Sequence, residues 1–170
     1  LFSCTYLQQQ LNKFLKNNQN KNMNNRIINI LFIDSSVDNY DFLLNGIVGD
    51  IEKVVLDSKG DGIEQITDVI AQRSQAETVH IVSHGSPGCL YLGNSQLNLD
   101  NLEYYKQQLH NWCSQNLLIY GCNVAAGDGG EEFVEKLHRL TGANIAASKT
   151  KTGNAQLGGN WELEVRVGKD

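Results

Sequence analysis

Two residues in this chain have the types and positions of a thiol nucleophile and its proton acceptor. Cys122 stands one glycine beyond the apolar run Leu117-Leu118-Ile119-Tyr120, and His84 stands one serine beyond the run from Thr78 to Val82. A cysteine attacks as its thiolate, so it needs an imidazole that takes the thiol proton or stabilises the ion once formed. Acyl transfer also needs donors for the developing oxyanion, and backbone N–H groups at tight turns serve because their direction is set before reaction. The N–H groups of Gly85 and Cys122 are the ones assigned here. Gly85 and Gly121 lack a Cβ, which lets a substrate backbone come close. Asp34 and Ser148 occupy equivalent places after two further apolar runs.

These residues share a working edge only if the runs are neighbouring parallel strands, because ligands in open α/β sheets bind outside the carboxyl ends of the strands. The pattern from Arg26 onward predicts that architecture. Apolar runs of strand length alternate with amphipathic segments of helix length, giving an α/β fold, a three-layer α-β-α sandwich around a mostly parallel sheet. Strands are expected over Ile27–Ile33, Val54–Leu56, Thr78–Val82, Leu117–Tyr120, Asn144–Ser148 and Trp161–Val167. Helices are expected over Asp41–Val48, from Ile63 through Ile70, over Leu102–Trp112 and over Glu131–Leu140, the last with acidic residues in its first turn and His138 and Arg139 in its last. Cys89–Leu92 and Gln96–Leu99 flank Gly93-Asn94 as a small hairpin.

Residues 1–25, rich in Asn, Gln and Lys, are expected to be an extension or linker ahead of a single domain over residues 26–170. Leu7, Leu11, Phe14 and Leu15 have the spacing of a short amphipathic helix. The segment lacks the apolar core and cleavage site of a secretory signal, and the single methionine, Met23, suggests that the extension lies outside the core domain and is dispensable for chemistry. A net charge of −5 with scattered Lys and Arg argues against nucleic acid as a partner. No apolar run reaches the roughly 20 residues of a membrane span, so membrane insertion is not expected. Cys4, Cys89, Cys113 and Cys122 have neither disulfide-framework nor Cys-x-x-Cys spacing. Cys89 and Cys113 read as structural, Trp112 and Trp161 as core. His80 and His84 share strand parity, but a metal site needs three or four ligands and no third is evident; His80 reads as core or as support for the loop. The runs Asp57–Gly62 and Gly127–Gly130 lack the carboxylate spacing of a calcium loop and read as turns.

The blocks TVHIVSHG and LLIYGC, His before Cys and one α/β unit apart, resemble the caspase, gingipain, legumain and metacaspase clan. The order is opposite to that of papain-like enzymes. LFIDSSV, HIVSHGSPGCLYLGN, LLIYGCNVAAGDGG and GGNWELE, spanning about Ile30 to Trp161, further resemble an uncharacterised bacterial domain family often placed at the start of large repetitive surface proteins. The clan resemblance implies a caspase-like fold and a cysteine endopeptidase that uses a His84–Cys122 dyad, acts on a peptide or protein and needs no cofactor. It also implies that Asp34, just after the first strand, lines the pocket for the side chain before the cut and favours Arg or Lys there. Ser148 is placed with it as substrate-binding. Lys149, Lys151 and Lys169 would then be points of self-processing. The chain departs from caspases around the nucleophile, with Tyr120-Gly121-Cys122 in place of Gln-Ala-Cys. A second reading stays open, a catalytically silent binding or sorting module that keeps the fold. Asp34 is equally suited to capping the turn that follows the first strand. Oligomeric state, natural substrate and compartment are not legible in the sequence.

Overall fold

The computed structural model describes residues 2–19, 28–73, 76–112, 115–153, 156 and 158–169. In chain order the elements are α1 (Phe2–Gln19), β1 (Ile28–Asp34), α2 (Tyr40–Asn45), β2 (Glu52–Leu56), α3 (Gly62–Ala71), β3 (Ala76–Val82), β4 (Gly85–Ser86), β5 (Cys89–Leu92), β6 (Ser95–Asn98), α4 (Lys106–His110), β7 (Asn116–Tyr120), α5 (Gly127–Thr141), β8 (Asn144–Ala147) and β9 (Val165–Val167). The main sheet runs β2-β1-β3-β7-β8-β9. Every pair in it is parallel except β8 with β9.

Alternation along the strands sorts side chains to the two faces of the sheet. Ile30, Phe32, Val79, Ile81, Leu117 and Ile119 pack with residues of α3, α4 and α5 on one side. Leu31, Ile33, Val82 and Tyr120 pack with residues of α1 and α2 on the other. The result is a three-layer α/β sandwich, and its central strands are apolar throughout because both faces are covered. α3 starts where the Asp61 carboxylate accepts the N–H groups of Ile63 and Glu64, satisfying donors that a helix start leaves unpaired. Among the described residues, no helix is long and apolar enough to cross a membrane.

Several expectations about the elements change. The first helix is longer than the sequence suggests and is not a loose appendage: Leu7, Leu11 and Leu15 are at most 2% exposed, and Gln8 donates to the carbonyls of Phe42 and Leu43. Without α1, the sheet face bearing Leu31, Ile33 and Val82 would lose a large part of its cover. α4 is shorter than expected, and ahead of it residues 99–105 run as successive turns, opened by Asn98, whose Oδ1 accepts the N–H groups of Asp100 and Asn101 and whose carbonyl accepts that of Leu102. Only Val165–Val167 of the expected final strand pairs with the sheet. Ahead of it the chain is held by side chains, with Asn160 Oδ1 accepting the Glu162 N–H. The two-residue strand β4, absent from the sequence reading, extends the hairpin into a small antiparallel sheet β4-β5-β6. Ile27, Met23 and Cys113 lie outside the described residues.

Candidate active site

The site is built on the register between β3 and β7. Val82 is paired with Tyr120 in the parallel ladder, and the Ser83 N–H donates to the Tyr120 carbonyl beyond it. His84 and Cys122 each lie two residues past that pair, so adjacent strands present them at equal offsets from one edge. The two loops also touch. A Cβ added at Gly85 would lie 3.1 Å from the Cys122 carbonyl oxygen, 3.2 Å from the Cys122 nitrogen and 2.5 Å from Val124 Cγ2. The missing side chain at position 85 is therefore what allows the His84 loop to rest on the Cys122 backbone.

Gly85 is also held in a hairpin. The Tyr91 N–H donates to the His84 carbonyl, and Gly85 is opposite Leu90 in the antiparallel pairing. Hydrogen-bonded and non-hydrogen-bonded pairs alternate in such a ladder, so the Gly85 N–H points away from Leu90.

The His84 side chain is exposed and its Nε2 lies 3.1 Å from the Ser36 carbonyl oxygen. A carbonyl accepts and never donates, so Nε2 carries the proton and Nδ1 keeps the lone pair in the neutral ring. Ser36 in turn is tied to Asp34: Oδ1 accepts the Ser36 N–H at 2.9 Å and the Ser36 hydroxyl at 2.5 Å. Oδ2 accepts the Gly93 N–H at 2.6 Å.

Cys122 is half-buried and free. Its Sγ donates to the Thr152 carbonyl and accepts the Thr152 N–H, each at 3.4 Å, so the thiol sits against a backbone segment rather than on the His84 ring. That segment is anchored on both flanks. The Asn123 N–H donates to the Thr150 carbonyl. The Asn160 N–H donates to Lys151, and Gly153 donates back to Asn160, both at 2.9 Å. Glu164 accepts the Lys149 N–H and the Thr150 hydroxyl. Although burial works the other way, these two bonds, together with its own backbone N–H and the Lys149 charge, hold the Glu164 carboxyl below its usual range.

The two residues expected to line a substrate pocket, Asp34 and Ser148, are both buried. Asp34 is 2% exposed and both its oxygens are taken by backbone and hydroxyl donors. Ser148 is 1% exposed. Its hydroxyl donates to the Glu162 carbonyl at 3.3 Å and its own carbonyl accepts the Ala125 N–H, so it joins the loop after Cys122 to the final segment. In both, strand-end position brings the residue to the expected edge without turning it outward.

His80 lies on the other side of the sheet from the α3–α5 layer and does not support the His84 loop. Its ring meets Phe14 edge-on at 5.4 Å and stacks on Tyr120 at 6.3 Å; burial alone pushes its pKa down to about 3. It borders a groove of about 460 Å³ between α1 and the segment leading into β9, walled by Phe14, Tyr120 and Trp161. Trp161 is half-buried and packs against the α1-side core, whereas Trp112 is fully buried and donates to the Thr67 hydroxyl. Cys89 is buried, and burial pushes its thiol pKa up. Among the described residues, no three His, Cys, Asp or Glu side chains gather as a metal site.

Sequence reasoning missed two residues that contact His84 and Cys122, namely Ser36 and Thr152. Both act through backbone atoms, which leave no residue-type signature. The nearest signal for the first was the Asp34-Ser35-Ser36 turn itself.

A model of a domain family of unknown function, DUF4347, matches residues 30–170. No curated protein matches the chain. Similar solved structures include an aromatic amino acid aminotransferase with 3-indolepropionic acid, 20% identical over 88% of this chain and 37% of that one, with a TM-score of 0.46. Another is caspase-1 from Spodoptera frugiperda, 20% identical over 62% of this chain and 52% of that one, at 0.34. A structure of pro-sf-caspase-1 is 20% identical over 63% of this chain and 49% of that one, at 0.33. The chain spans about half or less of the length of these structures, and likenesses so remote carry no argument about its chemistry. The chain belongs to the DUF4347 family.

Proposed function

We propose that this domain is a cysteine endopeptidase in which His84 and Cys122 form the catalytic dyad. The observation that carries the reading is their equal offset beyond the paired residues Val82 and Tyr120, together with a bond that leaves Nδ1 of His84 as the basic nitrogen.

In the proposed reaction the Cys122 thiol loses its proton to His84 Nδ1, and Sγ attacks the carbonyl carbon of a peptide bond. The resulting oxyanion is met by the N–H groups of Gly85 and Cys122. Collapse expels the amine, which takes the proton back from His84, and leaves a thioester on Sγ. Water, deprotonated by the same imidazole, releases the acid and restores the thiol. This chemistry calls for no cofactor, and its partner is a peptide or protein.

A preference for Arg or Lys before the cut is not part of the proposal, since the carboxylate that suggested it is buried and fully bonded. Self-processing at Lys151 would place the Thr152 nitrogen, already 3.4 Å from Sγ, as leaving group. It would first require breaking the Asn160 bond that holds the Lys151 carbonyl.

The pairing of Sγ with the Thr152 peptide instead of the ring favours a second reading, a silent caspase-like binding module. Digestion of a mixed-sequence peptide library separates the two. The peptidase reading expects new termini that vanish in Cys122→Ala and fall at least a hundredfold in His84→Ala. No cleavage by the natural chain, or equal cleavage by the variants, supports the silent module.

A further inference from the structure

We propose that Asp34 is a positioning residue that fixes the tautomer and orientation of His84 through the backbone of Ser36. The kinetic consequence of this inference rests on the peptidase reading; its structural consequence does not.

An Asp that merely caps a turn needs one bond, from its side chain to the N–H two residues on. Asp34 makes that bond to Ser36 and then two more, to the Ser36 hydroxyl and to the Gly93 N–H. All three donors address a carboxylate that is 2% exposed, where charge-assisted bonds are strong and an unmade one is costly. The Gly93 donor is itself held in place. The residue has φ +62°, and a Cβ there would lie 2.2 Å from the Gly60 carbonyl oxygen. The end of β1 and the tip of the β5–β6 hairpin are thus tied at one carboxylate.

What the tie controls is the Ser36 carbonyl. The N–H of Ser36 and its hydroxyl are bound by Asp34 Oδ1, and the Val37 N–H donates to the Asp34 carbonyl. With peptide groups on both sides of Ser36 anchored to the same residue, its carbonyl cannot swing. It receives His84 Nε2 at 3.1 Å. Because the ring is exposed, few other contacts hold it, and this one bond sets which nitrogen is protonated.

Nitrogen-15 NMR of the histidine-labelled protein, beside the rate of Cys122 alkylation, tests the inference. The natural chain should show His84 as a single neutral tautomer protonated at Nε2. Asp34→Ala should give mixed tautomers and about a tenfold loss of His84-dependent alkylation. Should Asp34→Ala fail to fold, the exposed Ser36 decides: Ser36→Ala should mix the tautomers partly and slow alkylation, and Ser36→Thr, which keeps the hydroxyl, should restore both. A single Nε2-protonated tautomer and rates within twofold of the natural chain in folded Asp34→Ala, or in Ser36→Ala when it decides, would overturn the proposal. If alkylation proves independent of His84 while the tautomer still responds to these variants, the peptidase reading fails and the positioning role stands.

Discussion

Acid should destabilise this fold in large part through one buried residue, His80. Its ring is fully buried between Phe14 and Tyr120, and burial lowers its pKa from 6.5 to about 3. Neither neighbouring ring offers a negative charge to offset this, since burial raises the Tyr120 hydroxyl to about 12 and keeps it neutral. The folded imidazole therefore stays uncharged where the unfolded one takes up a proton. Its contribution is fully present above pH 6.5, declines as the pH falls below that value and is lost as it passes through about 3. At pH 5 this shifts the folding equilibrium toward the unfolded state by a factor of roughly thirty, or about 2 kcal/mol, and across the whole window by about 5 kcal/mol. Urea unfolding of the natural chain and His80→Phe at pH 7.5, 6 and 5 isolates the effect, because every other titrating group is common to both. The stability difference between them should shift by about 2 kcal/mol in favour of the variant from pH 7.5 to pH 5. Parallel pH profiles would refute the reasoning, whatever the absolute cost of the substitution.

Other perturbations follow from the packing. Gly85→Ala forces a methyl against Val124 and the Cys122 backbone; it should cost about 1–3 kcal/mol in urea unfolding and slow alkylation of Cys122 by tenfold or more. Leu11→Ala, on the buried face of α1, should cost about 2–5 kcal/mol; a change under about 0.5 kcal/mol, typical of a surface site, would show that the helix does not belong to the cooperative core. Trp112→Phe leaves the Thr67 hydroxyl without its indole donor and should lower stability by about 1 kcal/mol or more, read as a shifted urea midpoint.

The sheet was legible because its strands are buried on both faces and so spell continuous apolar runs; Ile28–Asp34, Ala76–Val82 and Asn116–Tyr120 fall within a few residues of expectation. His84 and Cys122 were nominated by the same logic, as the reactive types at the ends of those runs, and the register sets them at equal offsets. Orientation was not legible. Asp34 and Ser148 stand at strand ends yet turn inward, because nearby backbone donors and acceptors capture them first. The first helix was undervalued for a different reason. Its Asn- and Gln-rich composition suggests a linker, but one stripe of leucines is enough to cover an apolar sheet face. The helical spacing that starts at Leu102 is realised first as successive turns opened by Asn98, and as regular helix only from Lys106.

The most direct test of the central claim is intact-protein mass spectrometry after brief exposure to a mixed-sequence peptidyl acyloxymethyl ketone. A single adduct on Cys122, absent in Cys122→Ala and formed at least a hundredfold more slowly in His84→Ala, is the expected result. Adducts shared between Cys122 and the buried Cys89, or an undiminished rate without the His84 imidazole, would contradict the account.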